Sequence, residues 1–268
     1  MKQIALVSDI HANLPALRAV LADIDERANI DAIYHLGDLC GYAPWPNEVI
    51  ALLVLRAIPG IAGNYDSTVA TDYKHCGCRA DTPHDEELSH ISFEWTRSHI
   101  TPDTKKYLGS LPFRLDIRPF GGHVSGPTIT LVHGNQALNT VYVTEDRSDA
   151  FLEKMARDLG ARREDVICFG HTHKSWQRVL EGIQFINTGS VGRPKDGDPR
   201  ACYVLLAMDG SSVRVEFVRV AYDIEEAARG IRESGLPGEF AEFLRSGGAR
   251  AEVTGSKPRA SPPKAPGR

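Results

Sequence analysis

The stretch IALVSDIHAN, residues 4–13, decides how the rest of the chain is read. Four apolar residues stop at Ser8 and Asp9, which is the pattern of a short strand buried on both faces. Beyond the turn, Leu14, Leu17, Ala19, Val20, Leu21 and Ile24 recur at helical spacing, and Pro15 is tolerated in a first turn. The same alternation continues with DAIYHL (31–36) as a strand, PNEVIALLVLRAI (46–58) as a helix and GIAGN (60–64) as a third strand. Strand, helix, strand, helix, strand predicts a parallel sheet covered on both sides.

Downstream, residues 67–103 are polar and histidine-bearing, with helical signals over EELSHISFEWTRSHI (86–100), and read as an insertion over one end of the sheet. TITLVHG (128–134), a helix near Arg147 to Leu159, and VICFG (166–170) resume the alternation. After GHTH (170–173) the pattern changes to WQRVL, IQFIN, ACYVLLAM and SVRVEFVRV between Gly and Asp turns, which predicts a second, mostly antiparallel sheet. A helical segment over about 223–246 completes a domain spanning residues 1–247. Residues 248–268 carry five basic side chains, one acidic and many prolines and serines, the composition of a disordered basic tail.

At 268 residues, 42% hydrophobic and 25% charged, the chain can bury a full core without disulfides or a structural metal. No run approaches the roughly 18 apolar residues of a membrane span, and no secretory leader pattern follows Met1, so a cytoplasmic location is expected. The net charge of -4 gives no global attraction to nucleic acid. Five cysteines at 40, 76, 78, 168 and 202 fit a reducing compartment, and CGC at 76–78 reads as a loop thiol pair.

The chemistry gathers just past the apolar segments. DIH supplies Asp9 and His11, GDLCG supplies Asp38, GN supplies Asn64, HG supplies His133, and GHTH supplies His171 and His173. Ligands of open parallel sheets collect beyond the carboxyl ends of the strands, so these residues are expected to converge. Mixed carboxylate, imidazole and amide donors suit two borderline divalent metals, and a carboxylate such as Asp38 can bridge two cations about 3.5–4 Å apart. Two such cations with Asp9 and Asp38 leave net positive charge, which attracts a phosphate and acidifies a bridging water.

The combined set DIHAN, GDLCGY, GNYD, VHG and GHTH resembles the calcineurin-like metallophosphoesterases, over residues 1 to about 220. The wider stretches GDLCGYAPWPNEVI and NTGSVGRPKDGDPRACY resemble a bacterial, phosphodiesterase-like branch of that family. The resemblance implies an α/β fold, a four-layer α-β-β-α sandwich of two mixed β-sheets flanked by helices. It implies one metal held by Asp9, His11, Asp38 and His173, and another by Asp38, Asn64, His133 and His171. Manganese leads the expected metals, followed by iron, zinc, cobalt and nickel. It further implies hydrolysis of a phosphate ester, a diester before a monoester, by in-line attack of a metal-bridging hydroxide.

The sequence departs from the family at Tyr65, where most members have a histidine that aids the leaving group. Its hydroxyl can still donate a hydrogen bond there, or the ring can simply pack beside the site. The segment GDLCGYA lacks the arginine of the GDxVDRG motif in phosphoprotein phosphatases, which ranks that reading second. A catalytically weak binding scaffold on the same fold is the alternative of another class. The expected partner is a phosphate-ester substrate, of nucleotide or nucleic-acid type, with no membrane and no obligate protein partner. Arg193 and Lys195 in GRPKDGDPR are candidates for a further phosphate contact, although PKDGDP is also turn composition.

Overall fold

A computed structural model describes residues 1–121 and 126–249. The expected tail therefore lies outside the described residues from 250 onward. The first strand, β1 (Lys2–Val7), leads through the turn carrying Asp9 and His11 into α1 (Leu14–Glu26). Asn13 caps this helix with its side chain on the amide of Ala16, and Pro15 sits in the first turn, where no intrahelical donor is lost. β2 (Ala32–His35) pairs parallel to β1, and α2 (Pro46–Leu55) follows.

Next come α3 (Asn64–Ala70), α4 (Pro83–His99) and α5 (Pro102–Ser110), then β3 (Arg114–Ile117), β4 (Ile129–Val132), α6 (Asp149–Leu159) and β5 (Val166–Phe169). The chain continues through β6 (Ser175–Leu180), β7 (Ile183–Thr188), β8 (Ala201–Asp209) and β9 (Ser212–Val220), and the described part ends with α7 (Ile224–Glu233) and α8 (Gly238–Ser246). The strands form two mixed sheets, ordered β2-β1-β8-β9 and β3-β4-β5-β7-β6.

Residue parity divides each sheet between two apolar layers. Ile4 and Leu6 of β1, Val204 and Leu206 of β8, and Val166 and Cys168 of β5 meet in the core between the sheets. Their neighbours point the other way: Ala5, Val7, Tyr203 and Leu205 pack with Leu17 and Val20 of α1, while Ile167 and Phe169 pack with Leu152 and Met155 of α6. Alternation at period two thus builds four layers from short strands. Each buried aliphatic side chain contributes roughly 1.5–3 kcal/mol by leaving water.

Two expectations about the strands change. The late strands do not form a separate antiparallel sheet: β6 and β7 join β5 by a parallel pairing, whereas β8 and β9 join β1 antiparallel. An apolar run states that a strand is buried but not which partner it pairs with, so chain order misled. The third strand expected at 60–64 is a single bridge from Gly60 to His35, because Asn64 already opens α3.

In the polar segment, α4 starts at the cap Thr82 and runs across the turn that bears Tyr42 and the start of α3 that bears Tyr65. Cys76 and Cys78 are joined as a disulfide rather than standing as two thiols; the turn at Gly77, with φ of +73°, brings their Cα atoms to 5.3 Å. None of the described helices is long and apolar enough to cross a membrane.

Candidate metal centre

The loops after β1, β2, β4 and β5 lie side by side and are laced by backbone hydrogen bonds. The amide of Asp9 donates to Gly37 O at 3.0 Å, that of His11 to Asp38 O at 2.9 Å, and that of Gly170 to His133 O at 3.0 Å. Gly63 is required by the closeness of these loops, since a Cβ there would stand 2.1 Å from Asp38 Oδ1. Asp9, His11, Asp38, His171 and His173 all have φ between +49° and +66°. Each such left-handed residue costs on the order of 1 kcal/mol or more, a strain that aims the side chain and persists only where the surroundings enforce it.

All seven residues singled out in the sequence come together there. Asp9, His11 and His173 form one group and Asp38, His133 and His171 a second, with the donor atoms of each within 4.8 Å of one another. Asn64 joins the second group, its Oδ1 lying 3.1 Å from His133 Nε2. Asp38 stands between the groups: Oδ2 is 3.4 Å from His133 Nε2 and 3.7 Å from His11 Nε2. Its other oxygen accepts the Tyr65 amide at 2.9 Å, which leaves Oδ2 for the centre.

Backbone carbonyls set the imidazole tautomers. Nδ1 of His11, His133 and His173 donates to the carbonyls of Cys40, Leu36 and Arg193 at 2.9, 2.7 and 2.6 Å, so each Nε2 faces the centre, as a lone pair on the neutral rings of His11 and His173 and as a proton donor toward Asp38 on His133. The Asn64 amide is oriented likewise: Nδ2 donates to Cys76 O at 2.8 Å, which turns Oδ1 to the centre.

Two observations test whether this set fits metal ions. His11 Nε2 and His173 Nε2 approach to 3.1 Å with both Nδ1 atoms committed as donors. Burial favours the neutral form of both, holding His11 down to about 3 and His173 well below the usual histidine value. Two lone pairs then face each other, which is unfavourable without a cation between them. Second, His171 Nε2 is buried with no hydrogen-bond partner, although such atoms are nearly always satisfied. The donor set fits divalent metals with nitrogen and oxygen preferences.

The charges respond to this crowding. Burial raises Asp9, with the Asp38 charge adding to the rise. Burial also pushes Asp38 upward, but attraction to His133 and a hydrogen bond with it win, and Asp38 stays ionised. The converse holds for His133: burial lowers it, yet Asp38 holds it up at about 10. Lys195, whose amide donates to His173 O at 3.2 Å, is lowered to about 8 by burial first and by Arg193 second.

Tyr65 is fully buried. Its hydroxyl forms a 2.7 Å hydrogen bond with Ser92 Oγ of α4, and its ring packs against Tyr42 and Phe93 with centroids 5.6 Å away in both cases. Burial raises the phenol well above its usual value. Arg147 donates to Tyr142 O, and His35 lies in the core with Nε2 3.2 Å from Tyr107 Oη, so neither joins the centre.

Sequence reasoning missed Asp66. Its two oxygens accept the amides of Leu39 and Gly63, both at 2.9 Å, tying the Asp38 loop to the start of α3. The signal was present, since Asp66 lies at the third helical position after the Gly63 cap. Ser92 gave no such signal, being an ordinary residue of an amphipathic helix.

The model of the calcineurin-like phosphoesterase superfamily domain matches residues 1–211. An uncharacterised protein of Methanocaldococcus jannaschii is 31% identical over 258 residues, covering 90% of this chain and 96% of that protein. A probable metallophosphoesterase of Methanothermobacter thermautotrophicus is 25% identical, covering 81% of this chain and 91% of its own. The crystal structure of a metallophosphoesterase from Sphaerobacter thermophilus superposes with a TM-score of 0.71 at 28% identity, covering 92% of this chain and 99% of that one. With six donors just past its strands, a seventh at the start of α3 and a superfamily match across most of its length, the chain belongs to the calcineurin-like phosphoesterases.

Proposed function

We propose that the protein is a dinuclear-metal phosphoester hydrolase that prefers phosphodiesters. The observation that carries the metal-dependent reading is the pair of inward Nε2 atoms of His11 and His173 at 3.1 Å, beside an Asp38 oxygen that faces both ligand groups. Asp9, His11 and His173 would hold one cation, Asn64, His133 and His171 the other, and Asp38 both. Bound there, two divalent cations supply Lewis acidity toward phosphoryl oxygens and acidify water near neutral pH. Manganese suits these donors, as do iron, zinc, cobalt and nickel.

The protein's own contribution is placement. Backbone carbonyls lock three imidazoles, Cys76 O locks the Asn64 amide, and Asp66 holds the two loops together, so the donors need little reorganisation on loading. No imidazole follows Asn64, and the phenol there is spent on Ser92. A leaving group therefore receives no side-chain proton from that position, which favours esters with stabilised leaving groups over alkyl monoesters. The absence of an arginine in GDLCGYA weighs against phosphoprotein substrates.

The test is turnover of aryl phosphate mono- and diesters by protein loaded with Mn²⁺. Faster diester turnover is expected, and a faster monoester would sink the preference. A protein that takes up no metal and turns over neither ester would favour the scaffold reading.

A further inference from the structure

Beside the centre opens a cleft of about 1360 Å³, walled by Arg79, Lys174, Arg193 and Lys195 on one part and by residues of α4 and α8 on the rest. Arg193 is the unusual member. Its Cζ lies 4.0 Å from the Tyr42 ring centroid and 3.7 Å from that of Phe243. Rings packed on a guanidinium restrain its plane and leave the N–H donors of its edge to act in that plane, the geometry that grips a phosphate in two-pronged fashion. Tyr42 also contacts His11, ring centroid to ring centroid 5.1 Å, so the same ring links Arg193 to the metal ligands.

Lys195 lies two residues on and lines the same cleft, its amide bonded to the carbonyl of His173. Two cations are thereby held together next to a site that itself calls for positive ions. The other charges of the cleft are partly engaged with one another. Arg245 is paired with Glu225 and Glu242, and His84 lies 3.8 Å from Glu239. Asp85 and Asp81, which line the same cleft, attract Arg193 and Lys195 respectively. Those carboxylates moderate the field without removing its focus beside His173.

We infer that Arg193 and Lys195 form a receptor for a second phosphoryl group, so that the substrate carries a further phosphate besides the ester that is hydrolysed. This rests on the hydrolase reading above and narrows it to phosphorylated or phosphoanhydride-bearing esters. Phosphate contacts by a charged, two-pronged donor account for the preference, and Phe243 acts as a positioning residue for Arg193.

Isothermal titration of the Mn²⁺-loaded full chain with inorganic pyrophosphate and with inorganic phosphate reads the receptor directly. The expected result is pyrophosphate binding at least about tenfold tighter than phosphate, with most of that ratio lost in Arg193→Gln and in Lys195→Gln. Phe243→Leu keeps both charges yet loses part of the ratio, and stands in should Arg193→Gln fail to fold. Equal binding of the two anions, or a ratio kept within about twofold by folded variants, overturns the inference. Parallel assays on aryl esters separate the two claims. Variant-sensitive pyrophosphate binding without ester hydrolysis refutes the hydrolase reading alone, whereas hydrolysis with variant-insensitive binding refutes the receptor alone.

Discussion

Replacing Tyr65 with Phe separates packing from proton donation at the position where this chain departs from its family. The ring fills a fully buried space that Phe fills equally well, and the hydroxyl touches Ser92 Oγ at 2.7 Å. Ser92 Oγ still accepts the Tyr42 amide at 2.8 Å after the change, so only one hydrogen bond is lost and no buried amide is orphaned. The cost is therefore about 0.5–1.5 kcal/mol of stability. Urea unfolding followed by circular dichroism should show a lower midpoint at an unchanged slope, while kcat and KM on aryl and alkyl esters stay within about a factor of two. A general acid would behave in the opposite way, with kcat falling by about 10² to 10⁴, most steeply for alkyl leaving groups. A loss of that size in the Tyr65→Phe variant with unaltered stability would refute the packing argument.

Metal uptake should be linked to protons. His133 is held at about 10 by Asp38 despite its burial, and an imidazole must be neutral to ligate a metal, so loading at neutral pH expels its proton. Apparent affinity then rises with pH until about that value, and titration calorimetry in buffers of different ionisation enthalpy should report proton release; buffer-independent heats would contradict it. Asp66→Ala strips the partners from the buried amides of Leu39 and Gly63, each costing about 1–3 kcal/mol, and loosens the loops of Asp38 and Asn64. Both the urea midpoint and the affinity for Mn²⁺ should fall, and a variant that lost neither would remove Asp66 from the account.

The parts legible in the sequence were those written locally. Asp9, His11, Asp38, His133, His171 and His173 each follow a strand, so their convergence needed only the rule that ligands gather at strand ends, whereas Asn64 opens α3 after an apolar run that forms a single bridge. The capped helix α6, the continuous apolar run of β8 and the alternating strand β9 were legible for the same reason. Pairing was not. Nothing in IQFIN or ACYVLLAM says that β7 adds to β5 while β8 crosses to β1, because that choice depends on which faces are left uncovered after the sheets form. β3 escaped notice because RLDI is short and half polar.

The neighbours that shape the site were also silent, since each acts across long sequence separations. Ser92 reaches Tyr65 from α4, and Phe243 reaches Arg193 from α8. The disulfide at 76–78 was misread for another reason: spacing alone does not report the turn at Gly77, which places Cys76 O on the Asn64 amide as well.

The central claim is that seven donors, from four loops and the start of α3, hold two cations through a shared Asp38. A crystal of protein reconstituted with Mn²⁺, with anomalous difference density collected, measures it directly. The account predicts two peaks, one among Asp9, His11 and His173 and one among Asn64, His133 and His171, with Asp38 between them and the peaks about 3.5–4 Å apart. A single peak, or density that leaves His11 and His173 in direct contact, would contradict it.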